Sequence, residues 1–201
     1  MDMSRARLAP QDWTDAALRA LVEGGVGAVR VDALARGLGV TRGSFYWHFT
    51  DRDALLKAAL EQWEREATAG VIEELDGIGD PAERLERLIR GAFDNEAVPG
   101  LQPALMAHAD HPVVMPVLHR VTAQRIGYIA ALYRELGLPP AAARRRAVIA
   151  YTTYLGWLDL RRGPADTVPE VMPAGEAAAI IDDIVTMLLA DLPGPGAERP
   201  Q

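Results

Sequence analysis

Apolar positions recur at helical spacing along most of this chain. Trp13, Ala17 and Leu21, with Ala16 and Ala20 beside them, predict a first helix that Gly24-Gly25 ends. Val31, Leu34, Ala35 and Leu38 fall at i, i+3, i+4 and i+7, the stripe of a short amphipathic helix. Gly39 breaks it where a turn needs positive φ. Thr41 is the expected cap of a second short helix carrying Arg42, Ser44, Phe45, Tyr46, Trp47 and His48, with Phe45 and Phe49 four apart on its buried face. Thr50-Asp51-Arg52-Asp53 has the pattern of a capping box, with carboxylates where the next helix dipole favours them. From there Leu55, Leu56, Ala59, Leu60 and Trp63 line one face of a helix expected to reach about Leu75, before Gly77–Gly79. Val26–Val31 is the one cluster of β-branched residues, and at six residues with glycine neighbours it reads as a linker.

The remainder is also helical in pattern. Asp80 caps and Pro81 opens a helix striped by Leu85, Leu88, Ile89 and Ala92, and Pro99-Gly100 stops it. A short apolar helix follows at Leu101–Ala109, then Val113–Leu136, closed by Gly137 and Pro139-Pro140. Ala141–Arg162 comes next, with Arg161 and Arg162 at its C-terminal dipole and Gly163-Pro164 as its stop. After a Pro-rich loop, Ala177, Ile180, Ile181, Ile184, Val185, Leu188 and Leu189 repeat the spacing. The fold class is therefore all-α. Residues 1–10 are expected to be a flexible N-terminus, 11–56 a helix-turn-helix domain, 57–192 a helical body and 193–201 a disordered tail.

Two short helices joined by a Gly-containing turn form a helix-turn-helix, whose second helix enters the DNA major groove. Here the run G-V-T-R-G-S-F-Y-W-H-F-T-D-R-D-A-L-L, Gly39 through Leu56, closely resembles the DNA-binding head of the TetR family of bacterial transcriptional regulators. In pattern the resemblance extends back to about Trp13 and covers roughly the first quarter of the chain. It implies a C-terminal ligand-binding and dimerisation domain behind the head. It also implies a non-enzymatic transcriptional repressor without cofactor, binding a palindromic operator as a homodimer and released by a small molecule.

Side-chain chemistry distributes roles within the head. Arg42 is the best base reader, since a guanidinium bonds O6 and N7 of guanine together. Thr41 and Ser44 can reach base edges or phosphate, and Gly43 allows close backbone approach. By resemblance, Tyr46 and His48 form a phosphate-contacting pair and Arg52 grips the DNA backbone; Lys57, the only lysine, is a weaker phosphate candidate one turn later. Trp47 is core or groove wall, with core expected. Paired heads reach successive major grooves about 34–36 Å apart, so a dimer follows. Its interface is expected on the last two long helices, around Tyr151, Tyr154, Leu155 and Leu158, where Gly156 permits close approach and the final helix confines its charges to Asp182, Asp183 and Asp191. Pocket candidates are Trp63, Phe93, Met106, His108, Met115, Tyr151, Tyr154 and Trp157, an adaptable lining suited to an apolar or aromatic ligand, although each also reads as core.

Charge changes the picture in one respect. The net charge of −7 over 201 residues looks wrong for a DNA binder, but residues 1–60 hold eight Lys/Arg against seven Asp/Glu, so the excess acid lies beyond them. Between Arg30 and Lys57 the tally is five basic to three acidic, a local basic patch. The absence of cysteine excludes disulfides and thiolate metal sites. Met1–Pro10 has no apolar signal core, and the longest uncharged apolar run, Ala147–Leu158, is too short to span a bilayer. A soluble, cytoplasmic chain without a membrane partner is expected. The competing chemistry is His108, Asp110, His111 and His119, enough donors for a metal sensor or a small metal-dependent enzyme, although Pro112 and Pro116 disturb their spacing. No nucleophile elbow, phosphate-binding Gly loop or H-E-x-x-H accompanies it.

Overall fold

A computed structural model describes residues 8–94, 98–161 and 175–192, and these are predominantly helical, as the periodicity requires. The expected 193–201 tail and all but the last three residues of the 1–10 segment lie outside the described residues, as do the Pro-rich loop and Arg162. In chain order the helices are α1 Pro10–Gly24, α2 Val31–Gly37, α3 Arg42–Phe45, α4 Arg52–Glu64, α5 Gly70–Asp76, α6 Pro81–Asp94, α7 Leu101–Met106, α8 Val114–Glu135, α9 Pro140–Leu160 and α10 Ala177–Leu189. The β-branched linker is a single 3-10 turn, Val26–Ala28. Between α4 and α5, Arg65–Ala69 adopts π-helical pairing, so the helix expected to run unbroken from Arg52 carries one wide turn.

The boundaries follow from local chemistry. α2 ends in a Schellman motif: Gly39 takes φ 68°, its N–H donates to Arg36 O, and Val40 N–H donates to Ala35 O. α8 ends the same way on Gly137, with Leu138 N–H on Tyr133 O. Asp51, rather than Thr50, caps α4, its Oδ1 accepting from Ala54 N–H at 2.7 Å. Thr41 stands at the cap of α3 but its hydroxyl makes no capping bond, and regular α geometry stops at Phe45. Pro140 opens α9 instead of closing α8, because its missing N–H costs nothing in the first turn.

Two compact units result. The first comprises residues up to Arg65 together with Val98–His119, so it holds α1–α4, α7 and the start of α8, more than the 11–56 stretch expected from sequence. Trp13, Phe45, Leu55, Leu56 and Leu60 are fully buried at its centre. The Trp13 and Phe45 rings meet edge to face at 5.4 Å, and Phe45 stacks on Phe49 at 5.7 Å. Gln62, itself buried, donates to Asp15 Oδ1 at 2.7 Å and ties α4 to α1.

The second unit holds α5, α6, most of α8, α9 and α10 around Leu85, Ile89, Leu132, Ala147, Ile184 and Leu188. Small residues of α9, Ala143, Ala147 and Ala150, are buried and let neighbouring helices close on it. Tyr133 donates its hydroxyl to Leu188 O at 2.9 Å and Arg146 donates to Ala190 O at 2.8 Å, satisfying carbonyls that the end of α10 would leave open.

Candidate nucleic-acid interface

The recognition segment is short, and its side chains divide sharply. Phe45 is 0% exposed, whereas Tyr46 is 53% and Trp47 is 76% exposed. Phe45 anchors the segment in the core of the first unit, so the residues on the other sides of this single helical turn are carried outward. Trp47 therefore lies at the surface, against the expectation that it joins the core. A four-residue helix has no stripe long enough to sort its rings by period, and burial goes to the ring that reaches Trp13.

Thr41, Arg42 and Gly43 are exposed and consecutive, while Ser44 and His48 are partly buried. A Cβ added at Gly43 would meet only Thr41 Oγ1, at 3.7 Å, so the backbone there is open to a close approach. Arg42 is held on two sides. Its Nη2 donates to the Tyr46 hydroxyl at 3.2 Å, and its Nη1 lies 3.5 Å from Asp32 Oδ1 on α2. The bond to Tyr46, then the charge of Asp32, keep the guanidinium pKa above its ordinary value. The side chain is thus pre-aligned although solvent surrounds it. Asp32 was not among the sequence candidates; its place at the first turn of α2 gives no hint of a partner ten residues on.

Arg52 engages the protein's own backbone. Its Nε donates to Val29 O at 2.7 Å, its Nη2 donates to Val26 O, and its Nη1 to Asp53 Oδ1 at 3.3 Å. Lys57 extends from α4 with its ammonium 3.8 Å from Glu61.

The remaining candidates fall into separate groups. In the second unit Phe93, Tyr154, Trp157 and Tyr151 form a run of rings with centroids about 6 Å apart: Phe93–Tyr154 6.0, Phe93–Trp157 5.8 and Tyr151–Tyr154 6.0 Å. Trp157 Nε1 donates to Phe93 O at 3.0 Å, and the Tyr151 and Thr122 hydroxyls share a bond. Two cations that sequence reasoning missed border these rings: Arg125 lies 5.8 Å from the Tyr154 centroid and Arg161 5.9 Å from that of Trp157. Trp63, Met106, His108 and Met115 belong to the first unit instead; Trp63 is buried and both methionines are exposed. His108 packs on the end of α1, where a Cβ at Gly25 would fall 2.1 Å from its Nε2. His111 Nδ1 accepts from Val113 N–H at 3.3 Å, a local turn bond. Among the described residues, no three His, Asp or Glu side chains gather as a metal site requires.

Comparison with known proteins bears on the same segment. Residues 14–59 match the family model described as bacterial regulatory proteins, tetR family. Over 46 residues, 23% of this chain, the sequence is 48% identical to the HTH-type transcriptional regulator SrpR of Pseudomonas putida. The matched stretches span 22%, 42% and 37% of the lengths of three curated relatives, all HTH-type regulators, so they cover less than half of each. The fold extends further. A transcriptional regulator from Rhodococcus sp. Rha1 aligns over 94% of this chain and all of its own with a TM-score of 0.74 at 19% identity. AibR, solved in complex with isovaleryl coenzyme A and operator DNA, aligns over 93% of this chain and 99% of its own with a TM-score of 0.66 at 16% identity. Residues 14–59, the helix-turn-helix head that presents Thr41 to His48, thus match the TetR family of bacterial regulatory proteins.

Proposed function

We propose that this protein is a transcriptional repressor that binds a palindromic operator as a homodimer and releases it when a small molecule occupies the helical body. The observation that carries the reading is the split at Phe45: one buried ring fixes the segment, and Thr41, Arg42, Gly43, Tyr46 and Trp47 stand exposed around it. Arg42, braced by Tyr46 and Asp32, would read a guanine edge; Ser44, Tyr46, His48 and Lys57 would contact the backbone. The local excess of basic charge between Arg30 and Lys57 supports this assignment over a solvated mixed face.

Dimerisation through α9 and α10 is supported by exposed aliphatic side chains there. Val148, Ile149 and Leu160 on α9 and Met187 on α10 all face solvent, with Ile149 55% and Met187 62% exposed. Nothing lies within 4 Å of a Cβ built on Gly156, which leaves room for a second helix. The effector site is assigned to the Phe93, Tyr151, Tyr154 and Trp157 rings, which suit an apolar or aromatic ligand. The same fold holds a small molecule and operator DNA in AibR.

The test is fluorescence anisotropy on the DNA flanking the coding region, over a salt series. Binding that outcompetes random duplex and weakens linearly in log salt is the expected result. Equal, weak binding to every duplex moves the operator elsewhere. An absence of binding to any duplex at low salt overturns the reading. Aromatic and acyl compounds are then screened in the same cuvette for release.

A further inference from the structure

The turn between α1 and α2 is seated by two buried side chains, Val26 and Val29, but makes few hydrogen bonds of its own. Val26–Ala28 is one 3-10 turn between Gly25, at φ 65°, and Val29. Its amides make two local bonds, Ala28 N–H to Gly25 O at 3.1 Å and Val29 N–H to Val26 O at 3.3 Å. Its polar brace comes from 23 residues away. Arg52, in the first turn of α4, donates Nε to Val29 O at 2.7 Å and Nη2 to Val26 O, and its Nη1 rests on Asp53. Arg30, the residue after Val29, is the cap of α2 and offers no side-chain capping bond. The carbonyl that Arg52 holds at Val29 immediately precedes Arg30, whose own carbonyl accepts from Ala33 N–H and Leu34 N–H as α2 begins. From the first turn of α2, Asp32 reaches Arg42 on α3. One line of contacts thus runs from the start of α4 through the turn and α2 to the side chain assigned to base reading.

We propose that Arg52 is a positioning residue of the recognition element: its two-pronged bond to Val26 O and Val29 O fixes where α2 starts and so where Arg42 points. This replaces the phosphate grip that family resemblance implies for the position, and it rests on the DNA-binding reading above. The chemistry separates the two roles. A phosphate needs a positive charge, which lysine also supplies; two carbonyls three residues apart need donors spread on a rigid planar fork, which lysine lacks.

The experiment uses the full chain as wild type, Arg52→Lys and Arg52→Ala. Anisotropy on operator and random duplexes across a salt series is paired with amide hydrogen exchange at Ala28 and Val29 without DNA. Both variants are expected to bind operator at least tenfold more weakly, to lose the operator-over-random ratio, to keep the wild-type salt slope and to lose protection at both amides. Wild-type binding by Arg52→Lys overturns the proposal. So does a slope that falls in Arg52→Ala by about 0.9 per phosphate released while protection persists. Should Arg52→Ala not fold, Arg52→Lys decides alone. If wild type binds no duplex, the DNA-binding reading and the recognition role fall together, while exchange in Arg52→Lys still shows whether the turn is clamped.

Discussion

Aromatic rings are used differently in the two units. In the first, neighbouring rings part company: Phe45 is sealed against Trp13 while Trp47, two residues on, is 76% exposed. In the second, Phe93, Tyr151, Tyr154 and Trp157 turn toward one another, and the exposed apolar groups are aliphatic or Met side chains such as Ile149, Leu160 and Met187. Rings that fix a frame and rings that offer a surface are thus separated by two positions in the head. In the body the rings form one cluster and the outward apolar face is made of something else. A ring's type says little about its task; its nearest buried partner says most.

The sharpest way to break this contrast is to remove the frame. Phe45→Ala deletes a fully buried ring that touches Trp13, Tyr46 and Phe49. A drop of about 3–5 kcal/mol in the stability of the head is expected from the cavity and the missing burial. Chemical denaturation followed by tryptophan fluorescence measures it, and DNA binding should vanish with the fold. A variant that stays as stable as wild type would show that the ring does not anchor the segment.

Arg42→Ala is the next largest, and its effect should appear in binding without appearing in stability. The side chain is exposed and its partners are exposed, so unfolding should shift by no more than about 0.5 kcal/mol. Operator affinity should fall by roughly 1–3 kcal/mol, about fivefold to a hundredfold or more, with relaxed preference at one base pair. A comparable weakening on operator and random DNA would reassign Arg42 to the phosphate backbone.

Trp157→Phe carries the comparison into the body. It removes the Nε1 donor to Phe93 O and part of a buried ring. About 1–2 kcal/mol of stability should go, less than for Phe45, because a ring remains to pack and Arg161 still donates to that carbonyl. Operator affinity without effector should be unchanged while any aromatic effector's concentration for release rises. If release is unaffected, the ring cluster is core and not a ligand site.

These contrasts also mark what was legible in the sequence. The all-α class, the Gly39 turn and the Asp80-Pro81 start could be read because each rests on neighbours within one helical turn. Phe45 on the buried face followed from its spacing to Phe49. Trp47 did not, since α3 is a single turn and periodicity needs more than one. Asp32 and the carbonyl partners of Arg52 escaped for a different reason: these contacts span ten and 23 residues, and no local pattern encodes a distant partner. Of the pocket candidates, Met106, His108 and Met115 lie in one unit and the rings of α6 and α9 in the other, a division that composition does not encode.

The smallest effect separates charge from shape in the head. Lys57 projects from α4 with its ammonium 3.8 Å from Glu61 and most of its side chain in solvent. An exposed pair of that kind contributes about a few tenths of a kcal/mol at most, so Lys57→Ala should leave unfolding unchanged. What it would offer DNA is a phosphate contact, driven by the release of counterions. Affinity should fall about equally on operator and random duplexes, and the log–log salt slope should drop by about 0.9 for the one phosphate set free. Arg52→Lys is expected to do the reverse, with an unchanged slope and no remaining sequence preference. Two basic residues on one helix would then differ in kind, because one commits its donors to the protein's own carbonyls and the other keeps its charge toward solvent. If both variants change slope and neither changes preference, the head is held by charge alone, and the frame that Phe45 anchors needs no clamp at Val29.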